Sequence, residues 1–408
     1  MKKISHLRSG FLSAFATAAL LVSAAHAAST TKVIYSFAGG NDGEYTDTDL
    51  VMDQSGNIYG TSVQGGIFGG GTVFQLTPEG VHTVLYNFTG GSDGGEPYKG
   101  VTLDAKGNLY GTAVTGGGGS CEGGCGTLFQ LKKSGSTYDF SVIHAFTGGK
   151  DGSGPGAPLS IDKFGNLYGM APTGGQFGVG TVYVLRPTAN GWSFHVIHTF
   201  TGGADGLGGS AGRVIFNPAG HVIAISTVGG KNGFGVVFEL SPTTSGEWVY
   251  TSLYDFKDSP DGALPYGGLT ADAHGNLFGT TYYAGKNDFG AVYELSRGSS
   301  GWKERVLYSF KGGSDGDSPI STLVSDGAGN FYGTTSDGGA ATCECGTIFK
   351  ISRNASGAWI ESVVYRFLGT PDAGFSYNGL VSDGKGNFYG STVHGGASND
   401  GTIYKLTP

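Results

Sequence analysis

Three short patterns recur in the same order seven times along the chain. A chain built this way folds only by stacking or closing one repeated unit. The first pattern is an aromatic-x-Phe pair that ends an apolar strand: Tyr35/Phe37, Tyr86/Phe88, His144/Phe146, His198/Phe200, Tyr254/Phe256, Tyr308/Phe310 and Tyr365/Phe367, spaced 51 to 58 residues apart. The second, Asp-x-x-Gly-Asn-x-aromatic-Gly, begins at Asp53, Asp104, Asp162, Asp272, Asp326 and Asp383, with an eroded copy from Asn217 to Ala224. The third is a Gly-led strand, opening at Gly71, Gly126, Gly180, Gly235, Gly290, Gly346 and Gly401.

Each period holds four strand candidates, as the last copy shows: 379–382, 387–392 and 402–406, with the strand that ends in the aromatic pair as the fourth. Four short antiparallel strands every fifty-odd residues predict an all-β, seven-bladed β-propeller forming one domain over 29–408. The chain starts with a lone strand of the aromatic-pair type, Lys32 to Phe37, and ends on a third-type strand, so the N-terminal strand is expected to join the last blade and close the ring. An open solenoid would need capping repeats, and none is visible. This organisation accounts for the 79 glycines among 408 residues: they supply positive φ in turns between many short strands.

Residues 1–28 read as a secretory signal peptide, with Lys2, Lys3 and Arg8 ahead of the apolar run Phe11 to Ala25 and an Ala25-His26-Ala27 cleavage box. The run is too short to favour a membrane span. Losing its three cations takes the formal charge from −8 to −11, which gives no electrostatic footprint for nucleic acid.

The Asp-x-x-Gly-Asn-x-Tyr turn resembles that of NHL propellers. The whole unit, with GGLVSDGKGNFYGSTVHGG followed by GTIYKLTP, resembles the Gloeobacter/Verrucomicrobia tandem repeat of exported bacterial proteins, over residues 32 to 408. That resemblance implies export and no established activity. Its members carry varied C-terminal surface anchors; this chain ends at Pro408 directly after its last strand, so a secreted or periplasmic protein is expected over a tethered one.

Two loop families should share one face: the crossing between blades and the loop between second and third strands. In the crossing, an Asp follows every aromatic-pair Phe by five residues: Asp42, Asp93, Asp151, Asp205, Asp261, Asp315 and Asp372. Such an Asp closes an Asx-type turn; as a ring, these carboxylates are also candidates for sugar hydroxyls or a weakly held divalent cation, the only cofactor suggested. The Asp53-type residues read as hairpin turn chemistry. Asymmetry lies in the fourth blade, where Arg213 occupies the position taken elsewhere by Asp49, Gly100, Pro158, Gly268, Thr322 and Gly379. These positions should ring the channel mouth, making Asp49, Arg213 and Thr322 candidate ligand contacts.

Cys121/Cys125 and Cys343/Cys345 fall in the only two lengthened second-to-third loops, as disulfide staples of an exported chain would. Cys121 to Cys125 is the straightforward pair; Cys343 to Cys345 would close a strained ring. His144 and His198 read as core substitutions for Tyr, and Trp192, Trp248, Trp302 and Trp359 as edge packing rather than a sugar platform. No catalytic triad or metal-spacing motif appears, and sevenfold sameness argues against catalysis. The expectation is a monomeric, exported, non-catalytic binding or surface-interaction module for a carbohydrate or cell-surface ligand. The alternatives are a metal-assisted hydrolase, lyase or lactonase near Asp49 and Arg213, and a structural or adhesive extracellular component.

Overall fold

The computed structural model describes residues 29–209, 212–299 and 301–408; residues 1–28, read above as a signal peptide, lie outside them. Seven antiparallel sheets follow one another along the chain. The first runs from the channel outward as Val51–Met52, Ile58–Ser62, Thr72–Leu76 and His82–Asn87. Blades two to six repeat that order over 101–145, 160–199, 215–255, 270–309 and 324–366. In blade seven the outer place is taken by the N-terminal strand Thr30–Ser36, which pairs antiparallel with Thr402–Thr407. The predicted closure is therefore present: one sheet contains both ends of the described chain.

The second pattern explains itself once strands two and three are paired. Gly60, Gly111, Gly169, Gly279, Gly333 and Gly390 sit directly across from the aromatics Phe74, Phe129, Tyr183, Tyr293, Phe349 and Tyr404. A Cβ on Gly60 would stand 2.7 Å from the Phe74 ring, and one on Gly169 2.4 Å from the Tyr183 hydroxyl. These glycines lie within the strand and make room for a ring lying over the backbone. Glycine at Gly71 does have the turn role, at φ 92°.

The core lies between blades, not within them. Seven clusters of buried apolar residues each join two neighbouring sheets, for instance Val182, Val184 and Phe200 of blade three with Val222, Phe238 and Leu240 of blade four. The seventh packs Phe37 and Ile403 of blade seven on Leu50, Ile58 and Phe74 of blade one, so the ring is closed by the same contact that builds it. Every aromatic-pair Phe is at most 1% exposed, each contributing roughly 1.5–3 kcal/mol of apolar burial. All seven outer strands carry a register shift one or two residues before this pair; a bulge of this kind adds local twist.

In blades five and six the crossing segment forms a three-residue strand where other blades make a single bridge, as in Glu44 with Gln64, Gly95 with Thr115 and Ser153 with Thr173, or a two-residue pairing, Ala373–Gly374 with His394–Gly395. Ala263–Pro265 and Asp317–Pro319, from the crossing segments, pair with the ends of Leu277–Tyr283 and Phe331–Asp337. The second strands lengthen to seven residues in return. That extension carries Tyr282, Tyr283 and Asp337 out to the loop face.

Candidate binding site at the channel mouth

The seven crossing aspartates are latches between a loop and its own outer strand. Each accepts the backbone N–H four residues earlier at 2.8–3.1 Å. Five also accept the hydroxyl of the aromatic-pair Tyr at 2.6–3.0 Å, as in Tyr35 to Asp42, Tyr86 to Asp93, Tyr254 to Asp261, Tyr308 to Asp315 and Tyr365 to Asp372. In the other two, His144 and His198 replace the phenol and approach Asp151 and Asp205 at 3.2 and 3.3 Å. The carboxylates therefore stand beside the outermost strands, away from the channel, and each is committed to its own turn. The Asp53-type residues hold the opposite-face hairpins: Asp53 Oδ1 accepts the Ser55 and Asn57 N–H groups, and Oδ2 the Asn57 amide, all at 2.9 Å.

The mouth positions do converge. Asp49 borders Gly100 and Gly379, and Gly379 N–H donates to Asp49 Oδ1 at 3.3 Å. Thr322 accepts the Gly268 N–H at 2.9 Å. Arg213 of blade four reaches across the ring to Asp49 of blade one, Nη2 to Oδ2 3.8 Å. Below this ion pair is a channel cavity of about 500 Å3 lined by inner-strand residues such as Val51, Thr102, Ile161 and Val381.

Above it, Asp47, Tyr98, Lys99, Tyr266 and Tyr377, one and two places earlier in their crossings, build a bowl. Lys99 is 8% exposed and donates to Asp47 at 2.9 Å and to Asn378 at 3.2 Å; the Asn378 amide donates to the same Asp47 oxygen at 2.6 Å. Burial alone would lower the Lys99 ammonium, but the Asp47 charge and hydrogen bond outweigh it and raise it above its ordinary value. Around this floor stand Tyr98, Tyr266 and Tyr377, with Tyr282 and Asp337 supplied by the lengthened strands. The larger part of the bowl, on the Tyr266, Tyr282 and Tyr377 side, encloses about 610 Å3, within the size range of small-molecule sites. Thr227 Oγ1 in its wall has no hydrogen-bond partner among the described residues.

None of the tyrosines or Lys99 was singled out by sequence. A signal was present: Tyr98, Tyr266 and Tyr377 each lie two residues before a mouth glycine, in Pro97-Tyr98-Lys99-Gly100, Pro265-Tyr266-Gly267-Gly268 and Ser376-Tyr377-Asn378-Gly379. Tyr282 and Asp337 had a weaker one: they lie three and four residues past the recurrent strand glycine, where the pairing with the crossing segment also recurs, as in Glu44 with Gln64 and Ser153 with Thr173, but the residue type varies between blades.

Both cysteine pairs are joined, Cys121 to Cys125 and Cys343 to Cys345. The tight ring expected of the second is closed through Glu344, which adopts φ 51° between the two cysteines and folds the segment so that their Cα atoms sit 5.2 Å apart. The tryptophans pack into blade boundaries: Trp192 edge-on to Tyr110, Trp248 to Tyr168, Trp302 against the blade four/five cluster, and Trp359 near Phe278. Among the described residues no three His, Cys, Asp or Glu side chains converge as a metal site, and no helix is long and apolar enough to cross a membrane.

Comparison with solved structures finds a protein of unknown function from Dyadobacter fermentans, 13% identical with a TM-score of 0.47, covering 92% of this chain and 97% of that one. A candidate oxidoreductase (glucose dehydrogenase) from Thermus thermophilus is 14% identical with a TM-score of 0.42, covering 93% and 99%. No curated protein matches. The Gloeobacter/Verrucomicrobia repeat model matches residues 17–139, 117–314 and 288–408, and the chain belongs to that repeat family.

Proposed function

We propose that the protein is an exported, non-catalytic binding module that takes a polyhydroxylated, carbohydrate-like ligand in the bowl at the channel mouth. The observation that carries this reading is the convergence of Tyr98, Tyr266, Tyr282 and Tyr377 around a polar floor of Asp47, Lys99 and Asn378. Tyrosine combines an apolar ring face, against which a sugar ring packs, with a hydroxyl that hydrogen-bonds at its edge. The sevenfold carboxylates satisfy their own loops, so they do not compete as the site. Two disulfides fit an oxidising compartment and support export.

The test is calorimetric titration with neutral oligosaccharides, using Tyr266→Ala and Tyr377→Ala as mouth variants. The expected result is saturable binding without turnover, weakened about tenfold or more in each variant, ~1.4 kcal/mol. Turnover of the bound saccharide, or binding indifferent to both variants, refutes the reading. The metal-assisted alternative gains no support from Asp49 and Arg213, which face one another as an ion pair.

A further inference from the structure

The bowl carries a negative charge that the described residues leave uncompensated. Asp47 is matched by Lys99, and below them Asp49 by Arg213, but Asp337 has no cationic partner among the described residues. Its nearest polar contact is the Ser336 hydroxyl, which donates to Oδ2 at 2.6 Å. Asp337 is also directly opposite a second acid. In the antiparallel bridge that lengthens blade six, Asp317 and Asp337 are Cα partners, so both side chains leave the same face of the sheet, an arrangement that destabilises like charges. Burial pushes the Asp317 carboxyl above its usual range, against the Ser318 hydroxyl bonded to it at 2.7 Å, and the charges of Asp337 and Glu344 push the same way.

Aromatic rings stand beside Asp337. Tyr266 and Tyr282 are 6.2 Å apart between ring centroids and tilted by 44°, and Tyr283 packs edge-on against Tyr282 at 4.5 Å. Tyr377 lines the same cavity as Tyr266, Tyr282 and Asp337. Burial raises the Tyr282 and Tyr377 phenols, and the field of Asp337 raises both further, which places the carboxylate within electrostatic reach of both rings. Tyrosine π faces beside an unmatched carboxylate attract an organic cation at both kinds of surface: cation–π attraction contributes about 0.5–2 kcal/mol, and the charge-assisted hydrogen bond to carboxylate adds to it. A bare metal ion would find only two carboxylates there.

We infer that the Asp337 corner of the bowl holds an ammonium group, and that the ligand is an amino-sugar oligosaccharide with free amines. This rests on the binding reading above and narrows it to a ligand class. Uronic or sulfated saccharides are disfavoured by the same carboxylates. The Tyr98 and Lys99 side of the bowl, where charge is balanced, receives the uncharged remainder of the chain.

Three trisaccharides of equivalent β-1,4 linkage separate the claims: the glucosamine trimer at a pH where its amines are protonated, the N-acetylglucosamine trimer and cellotriose. The glucosamine trimer should bind about tenfold or more tighter than either neutral one, ~1.4 kcal/mol, and the preference should shrink with added salt. Asp337→Asn should abolish the preference, so that the glucosamine trimer binds that variant no more tightly than the N-acetylglucosamine trimer does. Equal affinity for all three, weakened by Tyr266→Ala, overturns the ammonium inference and leaves the binding module intact. Binding of none overturns both. Stoichiometric Ca2+ binding that is lost in Asp337→Asn, without an amine preference, assigns the carboxylate pair to a metal and also overturns the inference.

Discussion

Replacing Asp93 with alanine isolates what the recurrent crossing aspartate does. In the wild type its carboxylate accepts the Thr89 N–H at 2.9 Å, the Thr89 hydroxyl and the Tyr86 hydroxyl at 3.0 Å. Tyr86 is in turn stacked face to face on Phe140 of the next blade at 3.7 Å, so the latch reaches the blade boundary. Hydrogen bonds to a charged group contribute ~1.5–3 kcal/mol each when dry, but this loop is half-exposed and water replaces much of that. A net loss of about 1–2 kcal/mol follows. With an unfolding entropy of ~2 cal/mol/K per residue, a chain this long should lose only about 2 °C in Tm. Burial favours protonation of Asp93, yet the Thr89 and Tyr86 bonds prevail and hold the carboxyl below its usual range. Its stabilisation is therefore complete above the unfolded carboxyl value near 4 and disappears as pH falls through the lower folded value. Differential scanning calorimetry of Asp93→Ala against the exposed control Asp139→Ala should show the deficit at pH 7, narrowing below about pH 4. A deficit no larger than the control's, or one that persists unchanged in acid, would refute the latch.

Two further predictions concern blade boundaries. Burial depresses His144 and His198 despite Asp151 and Asp205 beside them, so their neutral forms favour folding and this contribution is lost as pH falls below about 6.5. The His144→Tyr/His198→Tyr double variant, which restores the residue used in the other five blades, should flatten the Tm decline between pH 7 and 5; an unaltered slope contradicts this. Glu304, facing Asp261 across the blade four/five boundary, is pushed up to about 8, first by burial and then by Asp261. A raised carboxyl stabilises when protonated and loses that contribution as pH rises toward 8, so the Tm gain of Glu304→Gln should grow from pH 5 to pH 9. A gain independent of pH would rule out that titration.

The repeat made the fold legible because each of its patterns encodes one local geometry. The Asp-x-x-Gly-Asn turn fixes the inner hairpin, the strand glycine leaves space for the ring opposite, and the aromatic pair sends Phe into the boundary core while its Tyr or His meets the crossing Asp. Strand order, blade number and closure by the N-terminal strand follow from those offsets. The site was harder to read because it is made at positions whose residue type varies between periods. Lys99 is lysine in one period only, Tyr282 and Asp337 stand at second-strand positions whose residue varies between blades, and the Asp47–Lys99–Asn378 network joins residues up to 331 positions apart. The recurrent aspartates drew attention as a possible ligand ring through their number alone; the partners that make each of them a turn latch lie within seven residues, as for Tyr86 and Asp93.

The division between a sevenfold latch that stabilises and an asymmetric mouth that binds is tested most directly by measuring Tm and oligosaccharide affinity in parallel for Asp93→Ala and Tyr266→Ala. The account predicts that Asp93→Ala lowers Tm by about 2 °C and leaves affinity unchanged, whereas Tyr266→Ala weakens binding about tenfold or more with Tm within about 1 °C of the parent. Loss of binding in Asp93→Ala at full occupancy of the folded state, or undiminished binding in Tyr266→Ala, would contradict it.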